Sequence, residues 1–328
     1  MTWCDAKAAC LTAPEPASPD MARILISEFM DEPAVARLAE DHAVYYDAAL
    51  VDDPAELRRL AVDVDALIVR NRTQVRGDLL AAMTCCKVIG RLGVGLDNID
   101  VEACAARGIA VIPATGANAR SVAEYVIAAA LLLLRGVYQS TGEVVAGHWP
   151  RGALSNGREA RGRSFGIVGF GSIGRLTADL ARAVGMRVLA FDEAIGLDTA
   201  AYRDAGVEPA TLDVLVSTAD VVSIHVPLTA STRGLFDAAR IAAMKRGGVL
   251  VNTARGGIID EAAVAAALKS GHLGGAALDV FEVEPLGSSN AFSGCPNLLL
   301  TPHIAGVSVD SNTRVSSLIA DKVAEALR

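Results

Sequence analysis

An α/β fold built on parallel sheets, in about two packed units, is predicted by three features of this 328-residue sequence. Short β-branched apolar runs alternate along the chain with Ala- and Leu-rich helical patterns, the signature of successive parallel strand–helix units. A glycine-rich turn, "GFGSIG", separates one such run from one such helix. The length exceeds the ~250 residues beyond which a single hydrophobic core seldom grows.

The elements follow in order. The first half reads as a strand from Arg23 to Ser27, a helix from about Glu32, a strand from Ala66 to Asn71 and a helix near Leu79. A strand in "KVIGRL", a helix in "DVEACAARG" and a strand in "IAVIP" complete it, punctuated by Gly77, Gly95 and Gly108. "PATGAN", Pro113 to Asn118, has turn chemistry and precedes a long helical pattern from about Ser121 to Leu134, which marks it as a first hinge. A second series starts at "RSFGIVGFGSIG", Arg163 to Gly174, and continues through "RVLAFD", "VVSIHV", "GVLVNTA", "GAALDVF" and "LLLTPH". Asp260 reads as the N-cap of a helix ending at Gly271, with Glu261 in its first turn and Lys269 in its last. A final amphipathic helix runs from about Ser311 to Leu327.

Composition excludes several classes of function. With 52% hydrophobic, 21% charged and 4% aromatic residues, the core is aliphatic, and neither disorder nor collagen fits. The longest strictly apolar stretch, Val126 to Leu134, has 9 residues where a membrane-spanning helix needs ~20, so no membrane partner is expected. Net charge is −8 and Lys and Arg form no block, so nucleic acid is not an expected partner. The six cysteines, Cys4, Cys10, Cys85, Cys86, Cys104 and Cys295, have no CxxC spacing and read as reduced thiols of a cytoplasmic chain. No HExxH or GxxxxGK[ST] is present, and no metal is expected. Residues 1–20 carry Pro14, Pro16 and Pro19 without the basic and apolar regions of a secretion signal; they read as a leader before Met21.

Gly169, Gly171 and Gly174 form GxGxxG between the apolar run Phe165–Val168 and a helical pattern. The first glycine permits the tight turn, the second lets backbone approach a pyrophosphate, and the third lets helix pack on strand, while the helix N-terminus offers its N–H groups to the phosphates. Asp192 ends the next strand, 18 positions after Gly174, where a carboxylate accepts from ribose hydroxyls and repels a 2′-phosphate. NAD is therefore expected, in preference to NADP. "GRLGVG", with Gly93 and Gly95, lacks the full pattern and is not counted as a second nucleotide site.

Carbonyl chemistry also needs a proton donor and an anion clamp. Of the five histidines, His42, His148 and His272 stand in polar, loop or helix-end contexts, and His225 ends a strand of the nucleotide unit. His303 in "TPHIAG" follows a strand at the carboxyl edge where such sheets bind ligands, and is the best acid–base candidate by position. Arg255, between "LVNTA" and a glycine pair, suits bidentate clamping of a carboxylate. Glu284, before Pro285, is a carboxylate that would orient the imidazole if the two met.

From Met21 onward the chain resembles the D-isomer-specific 2-hydroxyacid dehydrogenases. "VRNRT", "GRLGVGLDNID", "SVAEYV", "GIVGFGSIGR", "HVPLTAST", "VNTARGGIIDE", "GGAALDVFEVEP" and "TPHIAG" occur in family order and spacing. The resemblance implies two Rossmann-like doubly wound domains, the cofactor domain (residues 119–302) inserted into a flavodoxin-like substrate domain (residues 21–118 plus 303–328). It implies Arg255, Glu284 and His303 as the catalytic set. Ser172 and Ile173 match the pyrophosphate positions and Asp192 the ribose ligand. Val226, Thr253, Ala254 and Asp279 match positions around the nicotinamide, with Asp279 expected to receive its carboxamide. Val94 and Gly95 match the loop whose N–H groups take the substrate carboxylate, Val94 also bordering the cofactor, and Arg70 a substrate-binding arginine of the phosphoglycerate branch.

The resemblance further implies NAD-dependent hydride transfer between a small 2-hydroxy acid and its 2-keto acid, and a homodimer formed through the long helix after the hinge. "LISEFMDE", "LIVRNRTQV", "RLGVGLDNIDVEAC" and "TPHIAGV" are most similar to the bacterial sulfolactate dehydrogenases, so a doubly anionic substrate such as (S)-sulfolactate or a 3-phosphoglycerate-like acid is expected, with Arg70 and Arg72 as contacts for the second anion. Glyoxylate or hydroxypyruvate reduction, and an NAD(H)-sensing role like that of the family's corepressors, are the alternatives. Formate dehydrogenases carry glutamine where this chain has Glu284.

Overall fold

Strands form where runs of Val, Ile, Leu and Ala are buried on both faces, as a parallel sheet covered by helices requires. In the computed structural model, which describes residues 21–328, these runs make two separate sheets; the expected leader lies outside the described residues. One unit comprises residues 21–118 and Val309–Arg328, the other Ala119–Ser308.

The first unit holds β1 (Arg23–Ile26), β2 (Ala43–Tyr46), β3 (Ala66–Val69), β4 (Val88–Arg91) and β5 (Ala110–Pro113), all parallel, in the order β2-β1-β3-β4-β5. That order is the flavodoxin-like one, with its reversal between β1 and β3. Alternation sends Ile24, Ile26 and Ile68 to one face and Leu25, Leu67 and Ile89 to the other. Val315, Ile319 and Val323 of the helix Val309–Ala326 complete the first of these cores. The fit there is close, since a Cβ added at Gly90 would lie 2.7 Å from the Ile319 side chain.

The second unit holds β6 (Ser164–Val168), β7 (Arg187–Phe191), β8 (Glu208–Pro209), β9 (Val221–Ile224), β10 (Gly248–Asn252), β11 (Leu273–Leu278) and β12 (Leu298–Leu300). Their order is β12-β11-β10-β9-β6-β7-β8, a Rossmann arrangement with its switch point between β6 and β9. Val222, Ile224, Leu250 and Leu278 face one core, and Phe165, Ile167, Val221 and Val251 face the other. The helices Ala119–Arg135 and Ser172–Ala183 cover the second face.

Sequence reading placed the chain's return to the first unit at residue 303; the change of unit falls at Val309. The reason is local: the His303, Ile304 and Ala305 N–H groups are all bonded to Asp279, just after β11, so the histidine loop stays with the second unit. Two edge strands, β2 and β8, had no expected counterpart. β2 is only half-buried along its length and β8 is two residues ending in proline, so neither shows an apolar run. Among the described residues no helix is long and apolar enough to cross a membrane.

Candidate active site

Residues that could do chemistry gather at the carboxyl ends of the second unit's strands. After β6 the chain turns at Gly169, whose φ of +99° is open to glycine and strained for other residues. A Cβ there would also meet the His225 carbonyl carbon at 2.8 Å, so the turn lies flat against the end of β9. A Cβ at Gly174 would approach the Gly169 carbonyl oxygen to 2.2 Å, whereas one at Gly171 would meet nothing within 4 Å. The middle glycine thus leaves open space beside the turn while the outer two are spent on packing.

The helix Ser172–Ala183 starts directly after, with Gly171 as an N-cap that supplies no side-chain acceptor to its first N–H groups. Ser172 and Ile173 therefore present main-chain donors and the positive end of the helix to an anion. Asp192, after β7, takes the Phe170 N–H on Oδ2 at 2.7 Å and the Ala194 N–H on Oδ1 at 2.9 Å, which fixes the carboxylate against the glycine turn. Further along the sheet edge the Thr253 hydroxyl is buried with no hydrogen-bond partner. An open glycine cradle, an uncapped helix start, a fixed acid and an orphaned hydroxyl together fit a dinucleotide.

The expected catalytic residues follow three neighbouring strands, β10, β11 and β12. Asn252 at the end of β10 holds its loop from both sides, donating to the Arg255 carbonyl at 3.0 Å and accepting from the Ala254 N–H at 3.0 Å. Gly256 lets that loop lie against the segment after β11: a Cβ there would be 1.8 Å from the Phe281 carbonyl oxygen. In that segment Glu284 Oε1 accepts from the Phe281 N–H at 3.0 Å, and its Oε2 lies 2.8 Å from His303 Nδ1. With Nδ1 engaged by a carboxylate, Nε2 is the nitrogen left to exchange a proton. His303 sits at φ +55°, a left-handed conformation uncommon for a non-glycine residue. Val226, which follows His225 after β9, and Ala254 pack on the core beneath this edge.

His225 is a different kind of histidine. Its Nε2 lies 2.9 Å from Ser223 Oγ, and burial pushes its pKa down to about 4, so it is neutral at pH 7 and poorly suited to proton donation. Because its folded pKa lies below the ~6.5 of an unfolded histidine, it stabilises the fold fully above that value and loses this contribution as pH falls toward about 4. The wild-type protein is expected to lose about 2 kcal/mol more than His225→Gln between pH ~7 and ~4.5 in urea unfolding. Equal losses would show that the ring is not held neutral.

Other expected residues belong to the first unit and follow β3 and β4. Arg70 is partly buried, with its Nη2 donating to Asn312 Oδ1 at 3.0 Å and its guanidinium 5.6 Å from the centre of the Phe29 ring. Arg72, in contrast, is exposed and paired with Asp52. Val94 is exposed and Gly95 half-buried in the loop after β4. Sequence reading missed Glu28, buried just past β1, whose carboxylate accepts the N–H groups of Arg70, Arg72 and Thr73 at 2.9, 3.2 and 2.9 Å. An acid directly after an apolar strand was the available signal.

A Rossmann unit with a dinucleotide cradle and a carboxylate–histidine pair at one sheet edge defines a nicotinamide-dependent oxidoreductase. The family described as "D-isomer specific 2-hydroxyacid dehydrogenase, NAD binding domain" matches residues 127–305. (S)-Sulfolactate dehydrogenase of Chromohalobacter salexigens is 53% identical over 308 residues, 94% of this chain and 99% of that protein. D-3-phosphoglycerate dehydrogenase of Mycobacterium leprae is 37% identical over 310 residues, and the match spans 57% of its length. Among solved structures, a glyoxylate reductase from Paecilomyes thermophila superposes with a TM-score of 0.82 at 29% identity, covering 95% of this chain and 96% of that one. The chain belongs to the D-isomer specific 2-hydroxyacid dehydrogenase family. It is an NAD-dependent oxidoreductase acting on 2-hydroxy acids.

Proposed function

We propose that the chain interconverts a doubly anionic 2-hydroxy acid, (S)-sulfolactate or a 3-phosphoglycerate-like acid, and the corresponding 2-keto acid. The observation that carries the chemistry is the 2.8 Å contact between Glu284 and His303, at the sheet edge that also bears Arg255. NAD(H), when bound, exchanges a hydride with the substrate's C2 carbon. Ser172 and Ile173 would hold its pyrophosphate, Asp192 its ribose, and Val226, Thr253, Ala254 and Asp279 would border its nicotinamide end. In the reducing direction His303 gives the Nε2 proton to the carbonyl oxygen while Glu284 bears the charge on Nδ1. In the oxidising direction the same nitrogen takes the hydroxyl proton. Arg255 clamps the substrate carboxylate.

Arg70 is the residue assigned to the second anion. Its backbone is fixed by Glu28 and its head by Asn312, whereas Arg72 is committed to Asp52. The similarity to a sulfolactate dehydrogenase supports the same reading. NADH oxidation against sulfopyruvate, 3-phosphohydroxypyruvate, hydroxypyruvate and glyoxylate tests it. A doubly anionic acid is expected to lead, and Arg70→Gln to lower kcat/KM on it by about tenfold or more while leaving glyoxylate nearly unchanged. Preference for glyoxylate or hydroxypyruvate by the wild type would overturn the substrate class, and failure to turn over any of these acids would favour the NAD(H)-sensing role.

A homodimer is part of the proposal. Tyr138, Val145 and Trp149, just beyond the helix Ala119–Arg135, are 61, 83 and 77% exposed, the kind of apolar surface that a second copy covers. Sedimentation at monomer mass would refute it. A cytoplasmic setting is supported by the free thiols of Cys85, Cys86, Cys104 and Cys295.

A further inference from the structure

A hydrogen-bonded chain runs from the helix Ala119–Arg135 to the loop that carries His303. Tyr125 Oη lies 2.6 Å from Thr301 Oγ1, and Thr301 Oγ1 donates to Asp279 Oδ1 at 2.6 Å. A threonine hydroxyl has one hydrogen, and the carboxylate claims it, so Tyr125 must be the donor to Thr301. The order of donors is thereby fixed from the helix to the acid.

Asp279 is 1% exposed and gathers the loop around itself. Its Oδ1 also accepts the Ile304 N–H at 2.8 Å, its Oδ2 the Ala305 N–H at 2.8 Å, and its main-chain oxygen the His303 N–H at 2.8 Å. Successive main-chain donors on either side of the histidine's left-handed backbone thus end on one residue. Such a backbone persists only where its surroundings over-determine it. Removing the Thr301 hydroxyl would leave Oδ1 short of a donor and Tyr125 without its acceptor, and would loosen the segment that sets where Nε2 lies.

We propose that Thr301 and Tyr125 are positioning residues for His303, acting through Asp279. They touch no reacting atom; they determine how well the imidazole is aimed, and misplacement by about an ångström can cost as much as ~100-fold in rate. The inference rests on His303 being the proton donor.

The test compares Thr301→Val, which removes the hydroxyl at nearly constant shape, with Thr301→Ser, which keeps it, together with Tyr125→Phe, the double variant Tyr125→Phe/Thr301→Val, and His303→Ala. Steady-state kinetics with the preferred keto acid and NADH fluorescence titration are the measurements. Thr301→Val is expected to lower kcat about tenfold, with KM and NADH affinity within about twofold, and Thr301→Ser to restore most of the rate. Tyr125→Phe should lower kcat a few-fold alone and add nothing on top of Thr301→Val, because its effect passes through that hydroxyl.

Unchanged kcat in Thr301→Val, an equal loss in Thr301→Ser, or lost NADH affinity at unchanged kcat would overturn the proposal. If Thr301→Val does not fold, wild-type kcat in Tyr125→Phe would do the same. His303→Ala separates proton donation from positioning: its full activity would remove the proton-donor assignment itself, whereas an inactive His303→Ala beside a fully active Thr301→Val would remove only the positioning role.

Discussion

His303→Ala is expected to lower kcat by about 1,000-fold, within the ~100- to 10,000-fold that a positioned general acid contributes. NADH affinity should stay within about twofold, because the loops proposed to take the phosphates and ribose follow β6 and β7, while His303 follows β12, at the other end of the strand order. Glu284→Gln should cost less, about tenfold to 100-fold, since the imidazole remains but its Nδ1 no longer faces a carboxylate. The two groups act as one device, so the double variant should be no slower than His303→Ala alone. Stopped-flow measurement of a single turnover, together with NADH titration, checks all of these. Multiplicative losses in the double variant would mean that Glu284 works independently of the histidine, and a full rate in His303→Ala would end the assignment.

Arg255→Lys is expected to lower kcat/KM by about 100-fold, although the charge is kept. A guanidinium can meet a carboxylate with two parallel N–H bonds, whereas an ammonium is a point charge with no fork. Losing one charge-assisted hydrogen bond at the substrate costs about 1.5–3 kcal/mol, which is tenfold to ~150-fold. The loop should tolerate the change, because Asn252 holds it through the Arg255 and Ala254 main chain and Gly256 packs it on Phe281. Unchanged thermal unfolding with a lost rate is the expected pairing. A rate close to wild type would show that the position contributes charge alone.

Much of this architecture was legible because buried parallel strands leave continuous apolar runs. "ILI", "ALIV" and "VVSI" are such runs, and the corresponding strands are buried throughout their apolar residues. The glycine turn was legible for a related reason, since its glycines, helix and acid are close in sequence. The edge strand Ala43–Tyr46 was not, because half-exposed residues form no apolar run. The supports of the site were harder still. Glu28 meets Thr73 45 positions away, and Tyr125 meets Thr301 176 positions away, so nothing local to either residue records the partner. The side chains aimed at chemistry carried a sequence signal, whereas those that hold them depend on the fold having brought distant segments together.

The discontinuity of the first unit matters for how the chain is made. Its five strands leave the ribosome early, but the helix Val309–Ala326 that covers Ile24, Ile26 and Ile68 comes last, after the whole 119–308 segment. At ~5–20 residues per second, those ~190 residues take roughly 10–40 s to synthesise. During that interval one face of the sheet is covered only by the helix Glu32–Asp41, and the groove at Gly90 shaped for Ile319 and Val323 is open. The nucleotide-binding unit, by contrast, is continuous in sequence. The first unit waits for its covering helix, which makes it the segment that nascent-chain chaperones would engage and that a premature stop before Val309 would leave sticky.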